Sequence, residues 1–147
     1  MHTSPPAMVA LGALAVLALM WWGGRNSSRG IITRKFGTTF DPGGPYTECK
    51  VQFVLDDLPA PCVVRTTGEG WYMVTPESAR RRWNWANNVA FLRQPVFIPW
   101  TALEYSPAKF PMSSWVRFDV TGTKATFFVP RNVALPLLQA GGMPPPV

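Results

Sequence analysis

The sequence predicts a mainly β domain that ends in a short helix and follows an N-terminal transmembrane helix. Three observations carry this. An uninterrupted apolar run lies near the N-terminus, apolar and polar residues alternate with period two after Tyr46, and proline and glycine (16 and 12 of 147 residues) punctuate the chain too often for long helices. Hydrophobic residues make up 47% and charged residues 15%, which excludes a disordered, highly charged chain.

The run AMVALGALAVLALMWW, Ala7 to Trp22, contains no charged or strongly polar side chain. Its sixteen residues cover about 24 Å as a helix, and Gly23-Gly24 extend this to about 27 Å, close to a bilayer core of about 30 Å. A soluble core helix would carry a polar face, and this one has none. Trp21 and Trp22 suit the headgroup level. A cleaved signal peptide fits less well: MHTSPP before the run lacks Lys and Arg, and MWWGGRN after it lacks a small-x-small cleavage pattern.

Charge is placed as a membrane protein places it. The net charge is +6. Arg25, Arg29, Arg34 and Lys35 supply +4 within eleven residues free of acids, while from Phe36 onward ten basic residues meet eight acidic ones, leaving +2. A nucleic-acid module would carry its excess on the folded domain, so no nucleic-acid partner is expected. The basic flank of the apolar run belongs in the cytoplasm by the positive-inside rule. The expectation is an uncleaved single-pass anchor with the N-terminus outside and the domain inside. Residues 1–24 then form the tail and anchor, 25–45 a basic juxtamembrane linker rich in Gly, Ser and Thr, 46–141 the β domain, and 142–147 a flexible Pro-rich tail.

Within the domain, CKVQFVLD sets Val51, Phe53 and Leu55 against Lys50, Gln52 and Val54, a half-buried strand. DLPAP breaks it and CVVRTT resumes the β pattern. Gly68-Glu69-Gly70 turns into a third strand, WYMVTP. PVFIPWTALEY reads as one further, central strand in which Pro99, lacking an N–H, requires a sheet edge or a bend. WVRFDV and TKATFFV form a hairpin that places Val116, Phe118 and Val120 on one face with Ala125, Phe127 and Val129. Gly122-Thr123 suits a two-residue turn. In PRNVALPLLQAGG, Pro130 suits a first helical turn, Val133, Leu137 and Leu138 make an apolar stripe, Pro136 limits the helix, and Gly141-Gly142 stop it.

On Gly70–Val74, Ile98-Pro99-Trp100 and the Trp115–Val129 hairpin, about half the chain, the sequence resembles the PH/GRAM-like fold. More narrowly, it is similar to small bacterial membrane-tethered proteins in which one such domain follows an N-terminal anchor. The resemblance implies a partly open barrel with a C-terminal helix, held at the cell inner membrane and serving as a scaffold for lipid headgroups or protein partners. It transfers no specific ligand residue, and the proline-interrupted terminal helix departs from the family pattern.

Catalytic constellations are poorly supplied. His2, the only histidine, precedes the anchor, so no Ser-His-Asp or Cys-His arrangement forms in the domain, and two cysteines without a domain histidine do not make a usual zinc site. GGRNSSRG is not a phosphate loop, and Asp56-Asp57 read as turn residues. No enzymatic activity, cofactor or metal is expected. Cys49 and Cys62 lie in predicted strands thirteen positions apart, as buried thiols in a reducing compartment or a disulfide in an oxidising one. The stretch SARRRWNWANNV is the candidate contact. Arg80, Arg81, Arg82, Trp83 and Trp85 form either a solvated loop whose tryptophans cover the core edge, or a cationic, aromatic-flanked patch for anionic headgroups or a protein partner. Ile98, Pro99 and Trp100 read as core and strand-edge residues. The partners expected are therefore the lipid bilayer and, as the alternative, a protein of an inner-membrane complex.

Overall fold

The computed structural model describes residues 4–54, 59–76 and 95–147, without the side chains of Trp21 and residues 23–26. Helix α1 spans Pro5–Asn26 and α2 spans Ser28–Phe36. Seven strands follow: β1 (Thr47–Phe53), β2 (Ala60–Thr66), β3 (Gly70–Val74), β4 (Val96–Pro99), β5 (Leu103–Pro107), β6 (Trp115–Val120) and β7 (Thr126–Pro130). Helix α3, Arg131–Ala140, comes last.

The strands form one antiparallel sheet in the order β4-β3-β2-β1-β7-β6-β5, a nearly closed barrel. Strand β1 joins its two halves: Thr47–Val51 pair with β2, while Gln52 and Phe53 pair with β7. The barrel is mainly β with a C-terminal helix, as the period-2 alternation predicts. Val51 and Phe53, Cys62 and Val64, Trp71 and Met73, Val116 and Phe118, and Phe127 and Val129 all point into the core. Phe118 stacks on Phe127 with centroids 5.1 Å apart, and Trp71 lies 4.8 Å from Phe118. Such pairs add about 0.5–1.5 kcal/mol each beyond their buried area.

PVFIPWTALEY is not one central strand. Val96–Pro99 and Leu103–Pro107 are the two ends of the strand order, joined by a 3-10 turn at Trp100–Ala102. Pro99 explains this: without an N–H it cannot continue a ladder on both sides, so the chain bends after it. The Trp115–Pro130 hairpin is present, but its loop has five residues, Thr121–Ala125, instead of two. The Thr123 hydroxyl donates to Val120 O and accepts from Ala125 N, which stabilises the longer loop, and Gly122 takes the positive φ of 76° that it requires.

Helix α3 covers the end of the barrel where β2 and β7 finish, burying Ala134, Leu137 and Leu138. Pro130 is its N-cap, one place before the first helical position. Its C-terminus is a Schellman motif: Met143 N donates to Leu138 O, Gly142 N donates to Gln139 O, and Gly142 has φ 73°. The start of the proline-rich tail is docked, since Met143 packs on the core and Tyr105 donates its hydroxyl to Pro144 O at 2.7 Å.

The stretch read as a linker contains α2. Ile32 is fully buried in the barrel core, so the folded unit begins near Ser27 instead of Tyr46. Residues beyond α2 line the outside of the sheet. Gly37 bridges to Val96 on the edge strand, Thr38 N donates to Pro95 O, and Arg65 donates to the carbonyls of Pro42 and Gly43. Helix α1, by contrast, leaves the barrel. Its described large apolar side chains, Met8 to Met20 and Trp22, are between 51% and 73% exposed. Among the described residues, no helix is long and apolar enough to cross a membrane.

Candidate functional site

The candidate site is the barrel end where β1 finishes and β7 begins, together with the helices that meet there. Ser27 alone separates α1 from α2. In extended conformation (φ −67°, ψ 161°), its side chain accepts from Gly30 N at 3.2 Å, and its carbonyl accepts from Ile31 N. This is an N-cap, which satisfies amides that the first turn leaves without partners. The next residue fastens the helix to the barrel: Ser28 Oγ accepts from Thr126 N, the first amide of β7, at 3.1 Å in a buried position. Ile32, one turn on, completes the attachment from inside the core.

The basic residues divide by their surroundings. Arg29 is half-buried, with its guanidinium 6.0 Å from the centroid of the Phe53 ring at the end of β1. Arg34 and Lys35 are exposed in the last turn of α2, where cations complement the helix dipole. Lys35 lies over the Phe36 ring and within 3.9 Å of where a Cβ on Gly122 would stand, so α2 adjoins the β6–β7 turn. Exposed Lys124 belongs to that same turn. Arg25 lies on the last turn of α1. The structure thus sets Lys35 beside the turn that carries Lys124, a residue the sequence does not single out.

Arg80, Arg81, Arg82, Trp83 and Trp85 lie outside the described residues, as do Asp56, Asp57 and His2. The flanks of the arginine-tryptophan stretch are informative. Strand β3 leads out through Thr75-Pro76 and β4 starts after Pro95, and antiparallel pairing of Met73 with Val96 puts both points at the α2 end of the barrel. The hydrogen bond from Thr38 N to Pro95 O ties the second point to the end of α2.

Ile98, Pro99 and Trp100 serve packing. Ile98 is in the core, and Trp100 donates its indole N–H to Thr67 O at 2.9 Å while its ring lies against Gly141. Cys49 and Cys62 face each other across β1 and β2, and both are free thiols. Burial pushes the Cys49 thiol up to about 11. Cys62 is driven up by its own burial and further by Cys49. Neither carries appreciable thiolate at neutral pH, so neither is an activated nucleophile. Among the described residues, no group of three or more His, Cys, Asp or Glu side chains is placed to hold a metal ion.

Beside the β5–β6 turn, at the other end of the barrel, lies an open hollow of about 410 Å³. Lys109, Phe110, Met112 and the Arg117–Asp119 ion pair line it, and Phe110 is 91% exposed. No family model matches the chain, and no curated protein matches it in sequence.

Sequence reasoning missed α2 because Gly, Ser and Arg around it read as linker composition. The usable signal was Ser27 as an N-cap before GIITRKF, with Arg34 and Lys35 in the last turn.

Proposed function

We propose that this chain is a membrane-anchored, non-catalytic binding or scaffolding module. In this reading, α1 lies in the bilayer of the cell inner membrane, and a PH/GRAM-like barrel stands on its cytoplasmic side. One observation carries the proposal: of the thirteen large apolar side chains left exposed among the described residues, nine sit on α1. Burying such a side chain is worth about 1.5–3 kcal/mol, so a bare α1 in water forgoes a sum larger than the stability of most domains. Positions 8, 9, 11, 14 and 17 point in all directions around a helix of 3.6 residues per turn. A single partner helix would cover one stripe, whereas lipid covers every face.

The reading does not rest on length. The described side chains from Pro5 to Met20 account for about 24 Å, which falls short of a bilayer core. The helix itself continues to Asn26, and its 22 residues extend about 33 Å. Trp21 and Trp22 would then mark the interface, and the basic flank would set the orientation. The strand order with a helix after β7 fits a PH/GRAM-like domain.

Headgroup binding is the first activity to test. A chain beginning at Ser27, which retains α2, should sediment with anionic vesicles more than with neutral ones. Replacing Arg80–Arg82 with Ala should weaken this several-fold, as should salt. Equal sedimentation with both vesicle types rejects headgroup recognition. The second reading, a protein-interaction subunit of an inner-membrane complex, draws on Phe110 and its hollow at the far end of the barrel. It predicts a stoichiometric partner in solubilised membranes that is lost on Phe110→Ala.

A further inference from the structure

We infer that the barrel meets the bilayer end-on through its α2 end, with the β6–β7 turn, Lys35 and Lys124 at the level of anionic headgroups. The inference rests on the anchor reading above and adds to it the surface of the barrel that faces lipid.

The first ground is the junction. A linker of twenty residues would leave the barrel free to tumble, with an end-to-end distance of about 25 Å. Here Ser27 alone lies between the two helices, and Ser27 and Ser28 are 8% and 5% exposed. Ser27 caps α2, Ser28 holds the first amide of β7, and Ile32 is inside the core. A connection fastened at three successive points does not act as a swivel.

The second ground is reach. From Trp22, the last residue of the apolar run, α1 rises about 6 Å to Asn26, and the chain through extended Ser27 reaches Ser28 within about 7 Å more. The headgroup layer is about 5–8 Å deep on each side of the hydrocarbon core. A barrel whose first β7 amide, at Thr126, is bonded to Ser28 therefore has that end within or just beneath the headgroups. The hollow beside Phe110 then faces away from the membrane.

Charge is the third ground. Arg34, Lys35 and Lys124 are exposed, neither α2 nor Thr121–Lys124 contains an acid, and Lys35 adjoins Gly122. The nearest described acid of β6, Asp119, is engaged by Arg117 and by the Thr126 hydroxyl. Three cations within a Debye length of an anionic leaflet are attracted to it.

Headgroup quenching in reconstituted full-length chain tests this. In a Cys49→Ser, Cys62→Ala background, Thr123→Cys and, separately, Ser113→Cys at the β5–β6 turn, the full length of β6 away, would carry an environment-sensitive fluorophore. Ser113 is exposed. The liposomes contain phosphatidylglycerol and a headgroup nitroxide lipid. The inference predicts at least three-fold stronger quenching at position 123 than at 113, lost when four glycines are inserted before Ser27. If the protein floats with the liposomes but both labels quench equally, or 113 quenches more, the orientation is overturned while the anchor stands. Strong quenching at 123 that survives the glycine insertion overturns the junction as its cause. Failure to float with liposomes overturns the anchor reading and this inference together.

Discussion

At Gly70 a side chain has no room. A Cβ there would stand 2.3 Å from Ile98 O and 2.9 Å from Pro99 Cα, both backbone atoms of the neighbouring strand. Gly70→Ala must push β3 and β4 apart and should cost about 1–3 kcal/mol, the range for overpacking. Gly68→Ala, two residues away in open space, should stay within about 0.5 kcal/mol. Denaturant midpoints of the full chain in mild detergent measure both. Trp71 gives a second contrast. Its ring is fully buried and its indole N–H finds no acceptor among the described residues. Trp71→Ala should cost about 3–5 kcal/mol, whereas Trp71→Phe keeps an aromatic ring and removes an unsatisfied donor, so it should cost far less. The thiols set a pH dependence. With its pKa raised from 9.0 to about 11, Cys49 holds its proton more tightly in the folded chain. Its contribution is complete below pH 9 and is lost as pH rises toward 11. Stability of the full chain should therefore fall over that window more steeply than that of a Cys49→Ser, Cys62→Ala variant.

Among the elements, α2 separates what the sequence makes plain from what it hides. The strands are legible because inward residues such as Val51 and Phe53, or Phe127 and Val129, repeat with the period of the pleat. Helix α3 is legible from Leu137, Leu138 and the closing glycines. Helix α2 has only nine residues and a single fully buried side chain, Ile32, so no periodic stripe announces it. Its stability comes from a cap and a tertiary contact, which local composition does not report. The arginine-tryptophan stretch is conspicuous in composition, while the pairing of β3 with β4 places only its described flanks, Pro76 and Pro95, at the α2 end. Ile32→Ala should destabilise the barrel by about 2–5 kcal/mol, as core truncations do. A residue in a free linker would cost nothing. Ser28→Ala, which removes the acceptor for Thr126 N, should cost about 1–3 kcal/mol by leaving a buried amide unpaired. Both are read from the same unfolding curves.

On the scale of the whole molecule, an apolar rod and a well-packed barrel share one buried junction. The barrel hides its apolar residues and the rod displays them, so the two halves call for different solvents. For the orientation proposed from the basic flank, a green fluorescent protein fused after Val147 should be bright while an alkaline phosphatase fusion stays silent. The opposite pattern would place the barrel outside and make the opposed cysteines a disulfide pair. More fundamental is whether α1 holds the chain in the bilayer at all. Alkaline carbonate extraction of membranes from cells expressing the full chain tests this most directly. The account predicts that the chain stays with the membrane pellet and that deletion of residues 5–22 moves it to the supernatant. Release of the intact chain into the supernatant would contradict it.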